Sequence, residues 1–139
     1  LSSSLNQNIG YFFNRKEKKT HGDQGSLVGQ LPLPKDSVVM VDDVITDGLT
    51  KIESVAMIRE ICGVKFSGVL VALDRMEKNS LGRDAIADFE QITGVPVWSI
   101  ITIREVCDYL KNREIDGAVV LDEDIFLKIE HYLEEHSVR

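Results

Sequence analysis

Two adjacent carboxylates and a turn with two hydroxyls lie close together in this sequence and are its clearest candidates for chemistry. The stretch VMVDDVITDGLT, residues 39–50, runs from apolar residues into Asp42 and Asp43 and then into Thr46 and Thr50. Open α/β sheets bind ligands at the carboxyl ends of their strands, where carboxylates can accept hydrogen bonds from sugar hydroxyls. Successive strand side chains face opposite ways, so Asp42 and Asp43 share one role only if the backbone turns between them.

The turn after the carboxylates has the properties of a phosphate site. A helix start exposes unpaired amides at the positive end of the helix dipole, and Gly48 lets the backbone approach a ligand closely. The alternative is an ordinary strand-to-helix turn with a capping acid, but packing explains adjacent acids after a buried strand poorly. We predict that a phosphate monoester binds at Val44, Ile45, Thr46, Asp47, Gly48, Leu49 and Thr50.

Alternating strand-like and helix-like segments must position this turn. Apolar runs predict strands at residues 37–43, 67–74 and 95–101, and short uniformly apolar strands are typical of a parallel sheet covered on both faces. Two apolar stripes at helical spacing lie between the strands, and each is followed by a glycine, Gly63 or Gly94. The stripes are Ile52, Val55, Ala56, Ile58 and Cys62, and then Leu81, Ala85, Phe89 and Ile92. The pattern predicts an α/β fold with a βαβ unit around the turn.

Two further helices are predicted from their capping residues. Thr102 and Glu105 have the spacing of a capping box, and Asp122 can cap a terminal helix at residues 122–136. The expected apolar positions are Ile103, Val106, Cys107 and Leu110 in the first helix, and Ile125, Ile129, Tyr132 and Leu133 in the second. Neither cysteine has the spacing of a paired ligand, so we expect buried thiols rather than a disulfide or a zinc site.

Composition limits the classes of function. A chain of 139 residues with 43% hydrophobic content can form one globular domain, residues 1–139. Its 23 acidic and 16 basic residues give a formal charge of -7, which disfavours general nucleic-acid binding. The apolar runs are too short to span a bilayer and no signal peptide precedes them, so we expect a soluble, cytoplasmic protein that does not bind membranes.

The first 36 residues have a different character from the rest. A short strand is predicted at residues 9–13, and the polar, charged and glycine-containing residues 15–30 follow it. A connection this long is uncommon in a compact domain and usually has a function. We therefore predict a flexible loop at residues 15–30 as the second place for chemistry.

The stretch at residues 39–50 resembles the signature of type I phosphoribosyltransferases, in which apolar residues precede two acids, two apolar residues and a Thr-x-Gly turn. Neither the GxGxxG of a dinucleotide site nor the GxxxxGK of a P-loop is present. The resemblance implies a Rossmann-like parallel-sheet fold that binds phosphoribosyl diphosphate through the two acids and the turn. Asp47 and Leu49 depart from the small and hydroxyl residues usual in this turn, and either change would weaken phosphate binding.

The sequence RKEKKTHG at residues 15–22 resembles the flexible catalytic loop of orotate phosphoribosyltransferases. In that family the loop closes over the active site of the neighbouring subunit, and its basic residues neutralise the departing pyrophosphate. A mobile cationic lid suits that chemistry, although a charge run can also be merely solvated. The resemblance implies phosphoribosyl diphosphate contacts by Arg15, Lys16, Lys19 and His21. It implies catalytic roles for Lys19, His21, Asp42 and Asp43.

A third match concerns the base. The strand predicted at residues 67–74 ends in Leu-Asp and is followed by Arg75, and an arginine fork can hold the carboxylate of orotate through two parallel hydrogen bonds. In the family this arginine contacts orotate, and the first threonine of the phosphate turn, Thr46 here, lies near the base.

The resemblance covers residues 9 to about 112 and implies a magnesium-dependent homodimer that makes orotidine 5'-monophosphate and pyrophosphate in UMP biosynthesis. Mg²⁺ is expected on the substrate's diphosphate and ribose hydroxyls rather than on protein ligands. Family members carry an upstream half that has no counterpart here, so we expect this chain to be an N-terminally truncated portion, inactive alone and open to a companion fragment.

Two alternatives remain. A purine or uracil phosphoribosyltransferase shares the phosphate turn, but the RKEKKTHG loop favours orotate. A non-catalytic nucleotide sensor on the same fold could bind RNA, but that role calls for a basic face, which the net charge of -7 disfavours.

Overall fold

The computed structural model describes residues 9–14 and 27–138. A parallel sheet of three strands, in the order β3-β4-β5, lies at its centre, and two short antiparallel hairpins, β1-β2 and β6-β7, accompany it. The elements are β1 (Phe12–Asn14), β2 (Leu27–Gly29), β3 (Ser37–Val44), α1 (Leu49–Cys62), β4 (Lys65–Asp74), α2 (Ala85–Thr93), β5 (Val97–Thr102), α3 (Ile103–Leu110), β6 (Glu114–Ile115), β7 (Ala118–Val119) and α4 (Glu123–His136). Among these residues, no helix is both long and apolar enough to cross a membrane.

The predicted alternation of strands and helices is confirmed. The helix ends follow capping residues that the sequence makes recognisable. Gly63 and Gly94 end α1 and α2 in the left-handed conformation. Thr102 and Glu105 form the predicted capping box of α3. The Asp122 side chain accepts the Ile125 amide at 2.9 Å and caps α4. The three central strands, at Ser37–Val44, Lys65–Asp74 and Val97–Thr102, begin and end within two residues of their predicted bounds.

The core lies on one face of the sheet, against α1 and α2. Its buried side chains come from both helices and from the sheet region, and they are Ile45, Val55, Val69, Val71, Phe89 and Val95. A second cluster of Ile58, Cys62 and Val64 lies at the end of α1. Each large aliphatic or aromatic side chain buried in this way contributes about 1.5–3 kcal/mol relative to an exposed one.

The opposite face of the sheet is open in the described part of the chain. Val41, Leu70 and Trp98 are neighbours in register, and Trp98 lies so close over Gly68 that a Cβ there would collide with its ring. Val41 and Ile100 are both 72% exposed. The prediction of a sheet covered on both faces is therefore wrong for the residues described here, since apolar strands indicate where a covering element is needed but do not supply one.

Several predicted helical positions are wrong. Leu81 lies before α2 and is 69% exposed, because Asp84 caps the helix by accepting the Ile86 and Ala87 amides. Ile92 lies within α2 but is exposed. In α4 only Leu133 of the predicted apolar positions is buried. Apolar spacing alone does not locate the face that a neighbouring element covers.

The strand and the loop predicted near the amino terminus have different bounds in the structure. The strand expected at residues 9–13 is β1 at Phe12–Asn14, and it pairs with β2 in the register Phe12↔Gly29. The loop predicted at residues 15–30 therefore ends in a strand, because Phe12 and Leu27 pack together against the second core cluster. Residues 15–26 lie outside the described part of the chain.

Candidate active site

The turn between β3 and α1 is fixed by one buried side chain and one left-handed residue. Ile45 is 5% exposed and anchors the turn in the core. Gly48 has φ +73° and precedes α1 as its N-cap. A Cβ at Gly48 would make ordinary contacts of 3.7–3.8 Å with Phe89 and Ala85 of α2 and with Ile45. The positive φ of Gly48 is an angle that favours glycine, so the turn depends on this residue for its backbone conformation.

The amides of this turn are open. None of the backbone N–H groups of residues 46–50 donates a hydrogen bond to a residue that the structure describes, and Gly48 provides no side-chain cap. The first paired amide of α1 is that of Lys51, 3.1 Å from the Gly48 carbonyl oxygen. Open amides at the positive end of a helix dipole form an anion site. The turn thus offers open amide donors at the position where a phosphate monoester is predicted to bind.

The two carboxylates lie beside the turn. Asp42 Oδ2 is 2.7 Å from Lys51 Nζ, and Asp42 Oδ1 accepts the Asp43 amide at 2.9 Å. Asp43 Oδ1 in turn accepts the Val44 amide at 2.7 Å. Burial alone would raise the pKa of Asp42, but its bonds to Lys51 and to the Asp43 amide together lower the pKa below its ordinary value. Asp42 is therefore held as a carboxylate, ready to accept hydrogen bonds.

A cavity of about 1070 Å³ brings these groups together. It opens between the end of β3, the first turns of α1 and β1, and both carboxylates line it although they are neighbours on a strand. Its lining includes Asp42, Asp43, Val44, Thr46, Thr50, Lys51, Glu53 and Ser54, with Phe12, Phe13 and Asn14 from β1. The structure thus unites five of the residues predicted for the sugar-phosphate site, Asp42, Asp43, Val44, Thr46 and Thr50.

Lys51 is the functional candidate that the sequence analysis missed. Its side chain is only 13% exposed and pairs with Asp42. A signal existed, because a lysine in the first turn of a helix opposes the helix dipole and needs a compensating anion. Asn14, whose amide nitrogen is 3.3 Å from Ser54 Oγ, joins β1 to the same cavity wall and was equally unforeseen.

The two unusual turn residues lie away from the cavity lining. Asp47 Oδ1 accepts the Ser80 amide at 2.7 Å, so its carboxylate is held by the loop that precedes α2. Leu49 is 57% exposed and likewise does not line the cavity. The negative charge of Asp47 is therefore partly balanced by a donor of the chain itself.

Arg75 does not line this cavity. Arg75 follows β4 and forms an ion pair with Glu77, with Nη2 and Oε1 2.6 Å apart. Arg15, Lys16, Lys19 and His21 lie outside the described residues. Within the described ranges, no three His, Cys, Asp or Glu side chains are grouped to hold a metal ion.

Comparison with known proteins places these features in a family context. No family model matches the chain. It is 34% identical over all 139 residues to an orotate phosphoribosyltransferase of Clostridium botulinum, and this match covers 62% of that protein. It is 49% identical over 108 residues to an orotate phosphoribosyltransferase of Marinobacter nauticus, a match that covers 77% of the chain and 50% of that protein.

A solved structure agrees with these relatives. The crystal structure of orotate phosphoribosyltransferase from Francisella tularensis superposes with a TM-score of 0.72 at 26% identity, covering 98% of this chain and 60% of that one. The central parallel sheet and the strand-to-helix turn thus define a type I phosphoribosyltransferase fold. Within that class, the chain is similar to the orotate phosphoribosyltransferases and spans about 60% of the length of the relatives it matches.

Proposed function

We propose that the protein to which this chain belongs transfers ribose 5-phosphate from phosphoribosyl diphosphate to orotate, giving orotidine 5'-monophosphate and pyrophosphate in pyrimidine biosynthesis. One observation carries the proposal: the turn with open amides at residues 46–50 contributes Thr46 and Thr50 to the cavity that Asp42 and Asp43 also line. The choice of orotate rests on the relatives, which are named for that substrate.

The sugar phosphate has a defined place in this proposal. The 5-phosphate accepts hydrogen bonds from the amides of residues 46–50 and from the hydroxyls of Thr46 and Thr50. Asp42 and Asp43 accept hydrogen bonds from the ribose hydroxyls, and the ion pair with Lys51 holds the Asp42 carboxylate in place. Val44, Ile45 and Gly48 shape the turn, while Asp47 and Leu49 contribute their amides only.

The chemistry asks for positioning and electrostatics rather than covalent catalysis. The sugar carbon gains positive charge as pyrophosphate leaves, and carboxylates near the ribose stabilise that charge. In the family pattern the departing pyrophosphate is neutralised by the basic loop, which assigns this role to Arg15, Lys16, Lys19 and His21. Lys19 and His21 are proposed to act closest to the reacting groups.

Magnesium fits as an ion carried by the substrate. The carboxylates of the described cavity do not form a group that could hold the ion by themselves, and Asp42 is already paired with Lys51. Mg²⁺ usually keeps several waters and binds through substrate phosphates. When bound, it would offset the diphosphate charge, and Asp42 and Asp43 would act on the ribose.

Orotate is assigned to the neighbouring strand end. Arg75 follows β4, beside β3 in the sheet, and its guanidinium can bind a carboxylate in a planar fork. Thr46, at the edge of the cavity, is proposed to lie near the base. Arg75 is 40% exposed while it pairs with Glu77, so it is reachable by a substrate.

The open sheet face points to a polypeptide that covers it. Val41, Trp98 and Ile100 are exposed on this face, and the chain spans only about 60% of the length of its relatives. The proposed occupant is the upstream part of the protein, present in the same polypeptide or as a companion fragment. The assembled enzyme is proposed to be a cytoplasmic homodimer whose basic loop reaches the partner's site, and this chain alone is proposed to be inactive.

Calorimetry with orotate, uracil, hypoxanthine and a short RNA tests the substrate, each with and without Mg²⁺ and phosphoribosyl diphosphate. We expect binding of orotate that depends on phosphoribosyl diphosphate, in this chain joined with its upstream part. A response to uracil or hypoxanthine instead would contradict the orotate assignment. Tight RNA binding without a response to orotate would favour a regulator, and the net charge of -7 speaks against that result.

A further inference from the structure

The carboxylate of Glu77 is the centre of a small network behind the proposed orotate arginine. Its Oε1 lies 2.6 Å from Arg75 Nη2 and accepts the hydroxyl of Tyr132 at 2.9 Å. The Glu77 side chain is 17% exposed, whereas that of Arg75 is 40% exposed. Glu77 thus lies on the protein side of the guanidinium.

The backbone around Arg75 is held on both sides. Asp74 is 5% exposed, and its Oδ1 accepts the Met76 amide at 2.8 Å. Met76 has φ +58°, an unfavourable angle for a residue with a side chain. Such a conformation persists only where the surroundings determine it, and it is often found at ligand sites.

Hydrogen bonds from the terminal helix α4 help to hold this segment. The Lys78 amide donates to the His136 carbonyl oxygen at 2.8 Å, and Lys78 Nζ reaches the Glu135 carbonyl oxygen at 3.0 Å. Tyr132 belongs to the same helix, so α4 is bonded to the segment after β4 through both backbone and side chains. The bond to Glu77, followed by burial, raises the pKa of Tyr132 above its ordinary value, so the phenol remains a donor.

We infer that Glu77 and Tyr132 are positioning residues that orient the Arg75 guanidinium for the substrate carboxylate, which makes α4 part of the base site. A guanidinium has five donor hydrogens in a planar fork, so one bond to Glu77 leaves donors for a ligand. A carboxylate on one edge of an arginine restricts its rotamers, and a preorganised fork binds with a smaller entropic cost. The inference rests on the proposed function, since it takes orotate as the ligand of Arg75.

The first test needs no substrate. Nitrogen-15 relaxation of the Arg75 side chain in the 139-residue protein should report an ordered guanidinium, and Glu77→Gln and Tyr132→Phe should each increase its motion. Tyr109→Phe is the matched control, because Tyr109 contacts Arg113 and does not belong to the Glu77 network. An Arg75 side chain as mobile in the parent as in both variants would overturn the inference.

The second test uses steady-state kinetics of the whole protein. Glu77→Gln and Tyr132→Phe should each raise the KM for orotate by about tenfold, the loss expected for a hydrogen bond to a charged group, while the KM for phosphoribosyl diphosphate stays constant. A general loss of folding would change both KM values and is monitored by thermal unfolding. Unchanged or lowered KM values for orotate would contradict positioning by these residues.

The variant Arg75→Ala distinguishes failure of the positioning inference from failure of the proposed orotate contact. If this variant raises the KM for orotate and the Glu77 and Tyr132 variants do not, the positioning inference is wrong and the proposed role of Arg75 survives. If Arg75→Ala leaves the KM for orotate unchanged, the proposed function is wrong at this residue and the inference fails with it.

Discussion

At the scale of single residues, Lys51 is the cation that pairs with a carboxylate of the cavity. It is nearly buried, it pairs with Asp42 at 2.7 Å, and it keeps the pKa of that carboxyl low against the effect of burial. Asp42 itself is 45% exposed, so solvent screens the pair and its contribution to stability is small. We propose that the pair matters mainly for function, because it fixes the position of the carboxylate proposed to accept the ribose hydroxyls.

Lys51→Met should therefore alter stability in a pH-dependent way. A lowered pKa of Asp42 stabilises the fold above the unfolded value of about 3.9, and this contribution is lost as pH falls through the folded pKa. We expect the variant to lose up to about 1 kcal/mol of unfolding free energy at pH 7, and less below about pH 4. Urea unfolding across this range measures the difference, with Lys35→Met, in the turn before β3, as control. A difference that is independent of pH would rule out the assigned ion pair.

At the scale of elements, the turn from β3 to α1 depends on a left-handed glycine. Gly48 and Gly82 have the same φ of +73°, and an added Cβ would meet no overlap at either position. Replacing either by alanine therefore costs mainly the backbone strain, about 1–2 kcal/mol. Only Gly48 belongs to the turn with open amides, residues 46–50. Comparing alanine variants at Gly48 and Gly82 therefore separates an effect on stability from an effect on phosphate binding.

Gly48→Ala should weaken the binding of ribose 5-phosphate, because relief of the strain moves the amides that hold the phosphate. Gly82→Ala should lose a similar amount of stability and leave the affinity unchanged. Calorimetry and urea unfolding on both variants provide the two quantities. Equal affinities in the two variants would show that the turn is not the phosphate site.

Local spacing accounts for what the sequence could predict among these elements. The caps at Thr102 and Asp122 depend on neighbours three residues away, and both were predicted. The β3 strand and its turn follow from a contiguous motif. The β1-β2 pair, the Lys51–Asp42 ion pair and the contact of Glu77 with Tyr132, 55 residues later, depend on tertiary packing that no local pattern encodes.

At the scale of the whole molecule, the open face of the sheet is the surface expected to drive association. The exposed side chains Val41, Trp98 and Ile100 form an apolar surface opposite α1 and α2. Exposed apolar faces drive association, and buried ones stabilise at about 25 cal/mol per Å². The relatives are long enough to cover such a face, since this chain matches only about 60% of their length.

The double variant Val41→Lys and Ile100→Lys should reduce self-association of the isolated chain, because lysines on this face oppose apolar contact. It should also prevent the upstream polypeptide from binding when the two are mixed. Analytical ultracentrifugation measures both effects. Leu81→Lys is the control, since Leu81 is 69% exposed but lies in the loop before α2. Equal association of the double variant and the parent would exclude this face as the docking surface.

The most direct measurement is a titration of the nitrogen-15 labelled protein with ribose 5-phosphate, followed through its backbone amide resonances. If the turn is a phosphate cradle, the amides of residues 46–50 shift downfield and saturate together, and Gly48→Ala weakens the response. If these amides stay in place throughout the titration, or if saturable shifts occur only elsewhere, the turn does not bind the sugar phosphate.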